Sequence, residues 1–107
     1  MSVLVGNGDG TFKKKVDYPT GNYPRSVVVG HFNGDDKPDL AVTNQSSYTV
    51  SVLLGKGDGT FAAKVDYPTG NYPRSVAAGD FNGDDNPDLA VTNEDGSTVS
   101  ILLSPCN

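Results

Sequence analysis

The residues best suited to chemistry fall in one nine-residue window, Asp80-Phe81-Asn82-Gly83-Asp84-Asp85-Asn86-Pro87-Asp88. Side-chain oxygens recur at relative positions 1, 3, 5 and 9 of a glycine-containing turn, so one loop can fold several hard ligands round a single cation. Ca²⁺ takes roughly six to eight oxygens at ~2.3–2.6 Å. Asp80, Asn82, Asp84 and Asp88 supply four or five of these, and the backbone carbonyl of Asn86 and water supply the rest. The window is not an EF-hand: position 6 is Asp85 instead of Gly, and position 12 is Val91 instead of Glu. The same residues also suit a simple Asx-rich turn whose carboxylates cap local amides. Twelve of the 13 acids are Asp, and seven of them lie within 31–39 and 80–88, whereas acidity kept for solubility would mix Glu with Asp and spread both. One His and one Cys leave no soft ligand set for zinc, and the single Cys106 cannot form an internal disulfide.

The elements that position this loop follow from composition and repetition. Thirteen glycines and seven prolines in 107 residues exclude a helical bundle, and 13 Val against six Ala and one Glu favour strands. Residues 2–50 align without a gap on 51–99, with 37 identities at a period of 49, and a third copy starts at Ser100. The units are therefore 1–50, 51–99 and 100–107. A period of this length in an all-β chain points to β-propeller blades of four antiparallel strands. Within one repeat, strands are expected at Arg74–Phe81, Asp88–Thr92, Thr98–Leu103 and Thr60–Tyr67. The first of these is innermost, where Ala77, Ala78 and Gly79 fit the crowding near the axis. In chain order the strands read third, fourth, first to fourth, then first to third: two circularly permuted blade equivalents plus one extra strand. Two blades cannot close a ring, which predicts an unmet apolar face at each end and head-to-tail self-association into a ring or filament.

Here GDFNGDDNPDLAVTN followed by TVSVLLGKGDGTF resembles the FG-GAP/VCBS repeat, the blade of integrin-alpha-like β-propellers, and the likeness covers essentially the whole chain twice. The resemblance implies Ca²⁺ in the loop between the first and second strands, an extracellular or cell-surface setting, and roles in adhesion or ligand binding; some members are lectins. Its metal positions fall on Asp80, Asn82, Asp84 and Asp88 with the Asn86 carbonyl, and in the first repeat on His31, Asn33, Asp35 and Asp39 with the Lys37 carbonyl. Asp36 and Asp85 stand where the family usually has Gly, and His31 replaces the leading Asp. Imidazole is a poor ligand for a hard cation, so the first loop is expected to bind more weakly.

At the opposite end of each blade lie the loops Tyr-Pro-Thr-Gly-Asn-Tyr-Pro-Arg at 18–25 and 67–74, and the divergent turns Gln-Ser-Ser-Tyr at 45–48 and Glu-Asp-Gly-Ser at 94–97. Tyr23, Arg25, Tyr48, Tyr72 and Arg74 are candidate ligand-binding groups, through sugar stacking or hydrogen bonding. Equally, Tyr18 and Tyr67 can pack between blades while Tyr23, Tyr72, Arg25 and Arg74 brace the turns. Gly55-Lys56-Gly57-Asp58-Gly59 is a hairpin turn, since no Ser or Thr follows a Gly-Lys and no helix follows.

Eight Lys+Arg against 13 Asp+Glu, a net charge of −5, argue against nucleic-acid binding. No apolar run reaches membrane-span length, and the opening MSVLVGNGDG does not read as a signal peptide. No catalytic set can be assembled beyond the single His31, so no enzyme activity is expected. The expected function is a Ca²⁺-stabilised module for adhesion or for carbohydrate or protein binding, within a larger assembly. The alternative is a purely structural, self-assembling unit with no specific ligand.

Overall fold

A computed structural model describes residues 1–32, 37–83 and 87–103. The described residues form nine strands and no helix: β1 (Ser2–Val3), β2 (Val16–Asp17), β3 (Pro24–Gly30), β4 (Asp39–Asn44), β5 (Thr49–Leu53), β6 (Val65–Pro68), β7 (Pro73–Gly79), β8 (Asp88–Asn93) and β9 (Thr98–Leu102). They make three antiparallel meanders, β1-β2, β3-β4-β5-β6 and β7-β8-β9. The four-stranded sheet is one complete blade, and it straddles the boundary between the two sequence repeats.

Alternation along each strand gives the middle sheet two apolar faces. Val50 on β5 and Ala41 on β4 meet Val76 of β7 and Leu89 and Val91 of β8, with Val28, Val52, Ala78 and Leu102 packed around them. This is the joint between the second and third sheets, and β7 lies against β3 and β4 along it. Ala41 on β4 and Ala78 on β7 leave room for that approach, whereas β3 brings Val28 to it.

Comparing equivalent positions of the repeat shows where packing stops. Val50 is fully buried, but its counterpart Val99 is 57% exposed. Val76 is 8% exposed, but its counterpart Val27 is 53% exposed. Ile101 and Leu103, on the same face as Val99, are half exposed, as is Val29 beside Val27. The third sheet thus ends in an apolar forward face, and the second sheet carries an apolar back face over the span of β3.

The fourth strand is shorter than expected. Thr60–Lys64 does not join the ladder, which begins again at the Val52–Val65 pair. Beyond β5 the chain instead makes the Gly55–Phe61 bridge and a hairpin in which the Lys56 amide donates to the Thr60 carbonyl at 3.0 Å. Gly57 and Gly59 take φ of +85° and +91°, which interrupts extended pairing. Phe61 turns away to meet the Tyr18 ring edge-on at 5.5 Å.

Candidate functional site

Each Asp-rich loop joins the inner strand of a sheet to the next strand, and its closing Asp begins that second strand. Asp39 is fully buried at the start of β4. Its Oδ2 accepts from the Phe32 amide at 2.9 Å and its Oδ1 from the Gly55 amide at 2.8 Å. One carboxylate therefore ties the Asp-rich loop to the neighbouring hairpin. Gly55 is required there, because a Cβ would lie 2.0 Å from the Pro38 carbonyl oxygen. Asp88 occupies the same place in the third sheet, 1% exposed, with Oδ2 accepting from the Phe81 amide at 3.1 Å. The carboxylate thus anchors the end of each loop at the start of the second strand.

Asp80 is exposed, and its Oδ1 accepts from the Gly83 amide at 2.9 Å. That bond is the Asx-type turn anticipated for this segment. Asn82 is exposed beside it, and Lys37 is exposed at the end of the first loop. Asn33, Asp35, Asp84 and Asn86 lie outside the described residues. Among the described residues no group of three or more His, Cys, Asp or Glu is placed to hold a metal ion. His31 and Asp80, the leading positions of the two loops, line one open cleft of about 510 Å³ between the ends of β3 and β7. Sequence spacing within one loop could not reveal that neighbourhood, because it is created by the joint between two sheets.

The opposite end presents the aromatic candidates. Tyr23, Tyr48 and Tyr72 all adopt left-handed backbone, with φ of 55°, 56° and 54°, and Ser97 does so at 51°. Tyr48 and Tyr72 meet edge-on at 5.4 Å, joining the β4–β5 turn of one sheet to the loop entering the next. The Tyr72 hydroxyl beside it raises the Tyr48 phenol above its ordinary value, first by side-chain hydrogen bonding and then by charge repulsion. Tyr23 is 72% exposed. The Tyr23 carbonyl accepts from the Gln45 amide at 2.9 Å, and the Tyr72 carbonyl accepts from the Glu94 amide at 2.9 Å. Arg25 and Arg74 are the extra residues of β-bulges, since Pro24 and Ser26 pair with adjacent Asn44 and Thr43, and Pro73 and Ser75 with Asn93 and Thr92. A bulge re-aims its side chain. Arg25 donates to Gln45 Oε1 at 3.0 Å, and Arg74 pairs with Glu94. Both arginines therefore brace the turn of their own sheet. Tyr18 packs between sheets, on Phe61, whereas Tyr67 is 44% exposed.

A polar spine missed in the sequence holds this end together. Asn44, fully buried, accepts from the Gly21 amide at 3.0 Å and donates to Thr49 Oγ1 and Ser51 Oγ at 3.1 and 2.8 Å. Ser51 Oγ then donates to Asp66 Oδ1 at 2.6 Å, and Lys64 reaches Asp66 Oδ2 at 2.5 Å. Asn93 repeats the pattern with Gly70, Thr98 and Ser100. The signal was present in both copies as a Thr-Asn pair ending an apolar strand, a position where a buried amide can replace missing backbone partners. The Lys64 and Ser51 hydrogen bonds hold the Asp66 carboxyl below its ordinary range, and Lys15 and Ser2 do the same for Asp17.

No curated protein and no solved structure matches the chain at significance. The model of one family, described as an FG-GAP-like repeat, matches residues 31–91. That span runs from one Asp-rich loop through the next, covering the buried Asp39 and Asp88, the hairpin at Gly55 and the buried centre of the joint, Ala41, Val50, Val76, Leu89 and Val91. With the motif, the all-β blade and more than half of the chain in agreement, the protein belongs to the FG-GAP-like repeat family.

Proposed function

We propose that the chain is a Ca²⁺-stabilised repeat module of a β-propeller that binds carbohydrate or protein in adhesion, at the cell surface or outside the cell, as part of a larger assembly. It acts by binding and not by catalysis. The observation that carries the binding role is the set of left-handed tyrosines at one end. A non-glycine residue in that conformation costs ~1–2 kcal/mol. Such strain is retained where surrounding structure enforces it, often at ligand clamps. Tyr23, Tyr48 and Tyr72 there offer apolar ring faces beside hydroxyl groups, the combination that suits sugars and polar protein surfaces. The Ca²⁺ role is supported by the buried anchoring of Asp39 and Asp88, which fixes one end of each Asp-rich loop before any ion arrives. A glycan array with the wild-type chain and the Tyr48→Ala and Tyr72→Ala variants tests binding. Selective glycan capture that both variants lose is expected; an empty array and no protein ligand would refute the role.

A second function is favoured by the half-exposed Val27, Val29, Val99 and Ile101: a purely structural unit whose copies join head to tail into a ring or filament. Light scattering across protein and Ca²⁺ concentration tests it. Growth of mass with concentration, together with an empty glycan array, would select this function over the first.

A further inference from the structure

Among the described residues the third sheet has three strands where the second has four. In the second sheet β6 pairs outside β5, with Val50 opposite Tyr67, Ser51 opposite Asp66 and Val52 opposite Val65. In the first sheet β2 pairs with β1 in the same register, Ser2 opposite Asp17 and Val3 opposite Val16. The same bond marks both: Ser51 Oγ donates to Asp66, and Ser2 Oγ donates to Asp17, each at 2.6 Å. Ser100 is the third serine of this series. It receives the Asn93 amide at 2.8 Å as Ser51 receives Asn44, but among the described residues no carboxylate lies across from it. Among the described residues β9 has no strand on its outer edge, the place that Val65-Asp66-Tyr67 takes beside β5.

Two further observations select the donor. β1 is held to β2 by two residue pairs, with main-chain bonds between Met1 and Tyr18 at one end and the Gly6–Phe12 bridge at the other, whereas β9 is held to β8 by five pairs, from Thr98 to Leu102. Among the described residues β1 pairs with β2 alone, so an exchange that gives β2 to β9 frees β1 and leaves the β8–β9 ladder intact. The apolar faces also fit. Ala77, Val99 and Ile101 occupy the positions of Val28, Val50 and Val52, which in this chain are covered by the face carrying Val76 and Ala78. Val27 and Val29 are the counterparts of Val76 and Ala78, and they are 53% and 60% exposed.

Resting on the self-association proposed above, we infer that β9 takes β2 of a second copy as its fourth strand, with that copy's β1 released, so that one blade is built from two chains. Ser100 then lies opposite the second copy's Asp17, and Ile101 opposite its Val16. The forward face of β7-β8-β9 packs on that copy's Val27 and Val29, repeating the joint already present inside each chain. Main-chain pairing to an open edge supplies affinity, and the Ser–Asp bond and apolar face supply register.

Single-cysteine chains in a Cys106→Ser background test the register. Ser100→Cys mixed with Asp17→Cys, and Ile101→Cys mixed with Val16→Cys, are expected to form disulfide-linked pairs under a glutathione redox buffer. Ser100→Cys mixed with Val16→Cys, one residue out and on opposite faces, is expected to form none. Amide hydrogen exchange on the unmodified chain gives a reading independent of these variants. Raising its concentration should protect the outer edge of Thr98–Leu102 and remove protection from Ser2–Val3. Growth of mass in light scattering without matched disulfides or that exchange pattern overturns the strand exchange and leaves self-association standing. A monomer at every concentration overturns both.

Discussion

Val50 and Val99 form an internal experiment: the same residue at the same strand position, with 0% and 57% of its surface exposed. Replacing Val50 by Ala deletes two buried carbons from the joint formed with Val76, Leu89 and Val91. At about 0.8 kcal/mol per buried methylene plus a cavity term, the loss is ~2–3 kcal/mol. Val99→Ala in the isolated chain removes contacts mainly with water, and its loss stays within about 0.5 kcal/mol. The strand-propensity cost of Val→Ala is common to both and cancels in the comparison. Urea unfolding followed by circular dichroism, at a dilution where light scattering shows a monomer, should therefore separate the two variants by ~2 kcal/mol. At higher concentration, if copies cover each other's faces, the Val99→Ala loss should grow towards that of Val50→Ala, because association stabilises the folded chain by mass action. Equal losses in the dilute monomer would refute the assignment of one face as joint and the other as open surface.

Asp39→Ala should cost ~2–4 kcal/mol, because it strands the half-buried Phe32 and Gly55 amides, while Asp39→Asn, which keeps one acceptor, should cost about half as much; thermal melting distinguishes them. Calorimetric Ca²⁺ titration should show tighter binding at the loop of Asp80, Asn82, Asp84 and Asp88 than at that of Asn33, Asp35 and Asp39, with Asp84→Ala removing the stronger event; equal affinities would contradict the ligand count. Asp9, Asp17, Asp58 and Asp66 are held below their ordinary value of 3.8, the first cause being the side-chain bonds from Thr11, Lys15, Thr60 and Lys64 respectively. A lowered carboxyl stabilises the fold fully above its unfolded value and less as the pH falls through its folded one, so the urea midpoint should fall below pH 3.8 and do so less steeply in Thr11→Val and Thr60→Val. Tyr23→Gly, relieving a left-handed tyrosine with 72% exposure, should leave the melting midpoint unchanged or raised while abolishing any ligand capture that depends on that ring; a clear drop in the midpoint would make Tyr23 a structural brace.

The repeat, the all-β class and the identity of the loops were legible in the residues alone. These depend on periodicity, turn residues and local alternation, which act over a few residues: Asn82-Gly83 turns, and Val99, Ile101 and Leu103 share a face, whatever lies beyond them. The oxygen-bearing positions of both Asp-rich loops were legible in the same way. What those positions face depends on long-range packing. Asp39 binds the Gly55 amide 16 residues away, and His31 and Asp80 line one cleft because two sheets pack. The fourth strand was cut short for a similar reason, since Phe61 finds Tyr18 43 positions away and leaves the ladder to reach it. Identical residues carry no mark of which copy is covered. Val50 and Val99 have the same alternating neighbours in the chain, and burial distinguishes them because a blade lies beyond one of them and solvent beyond the other.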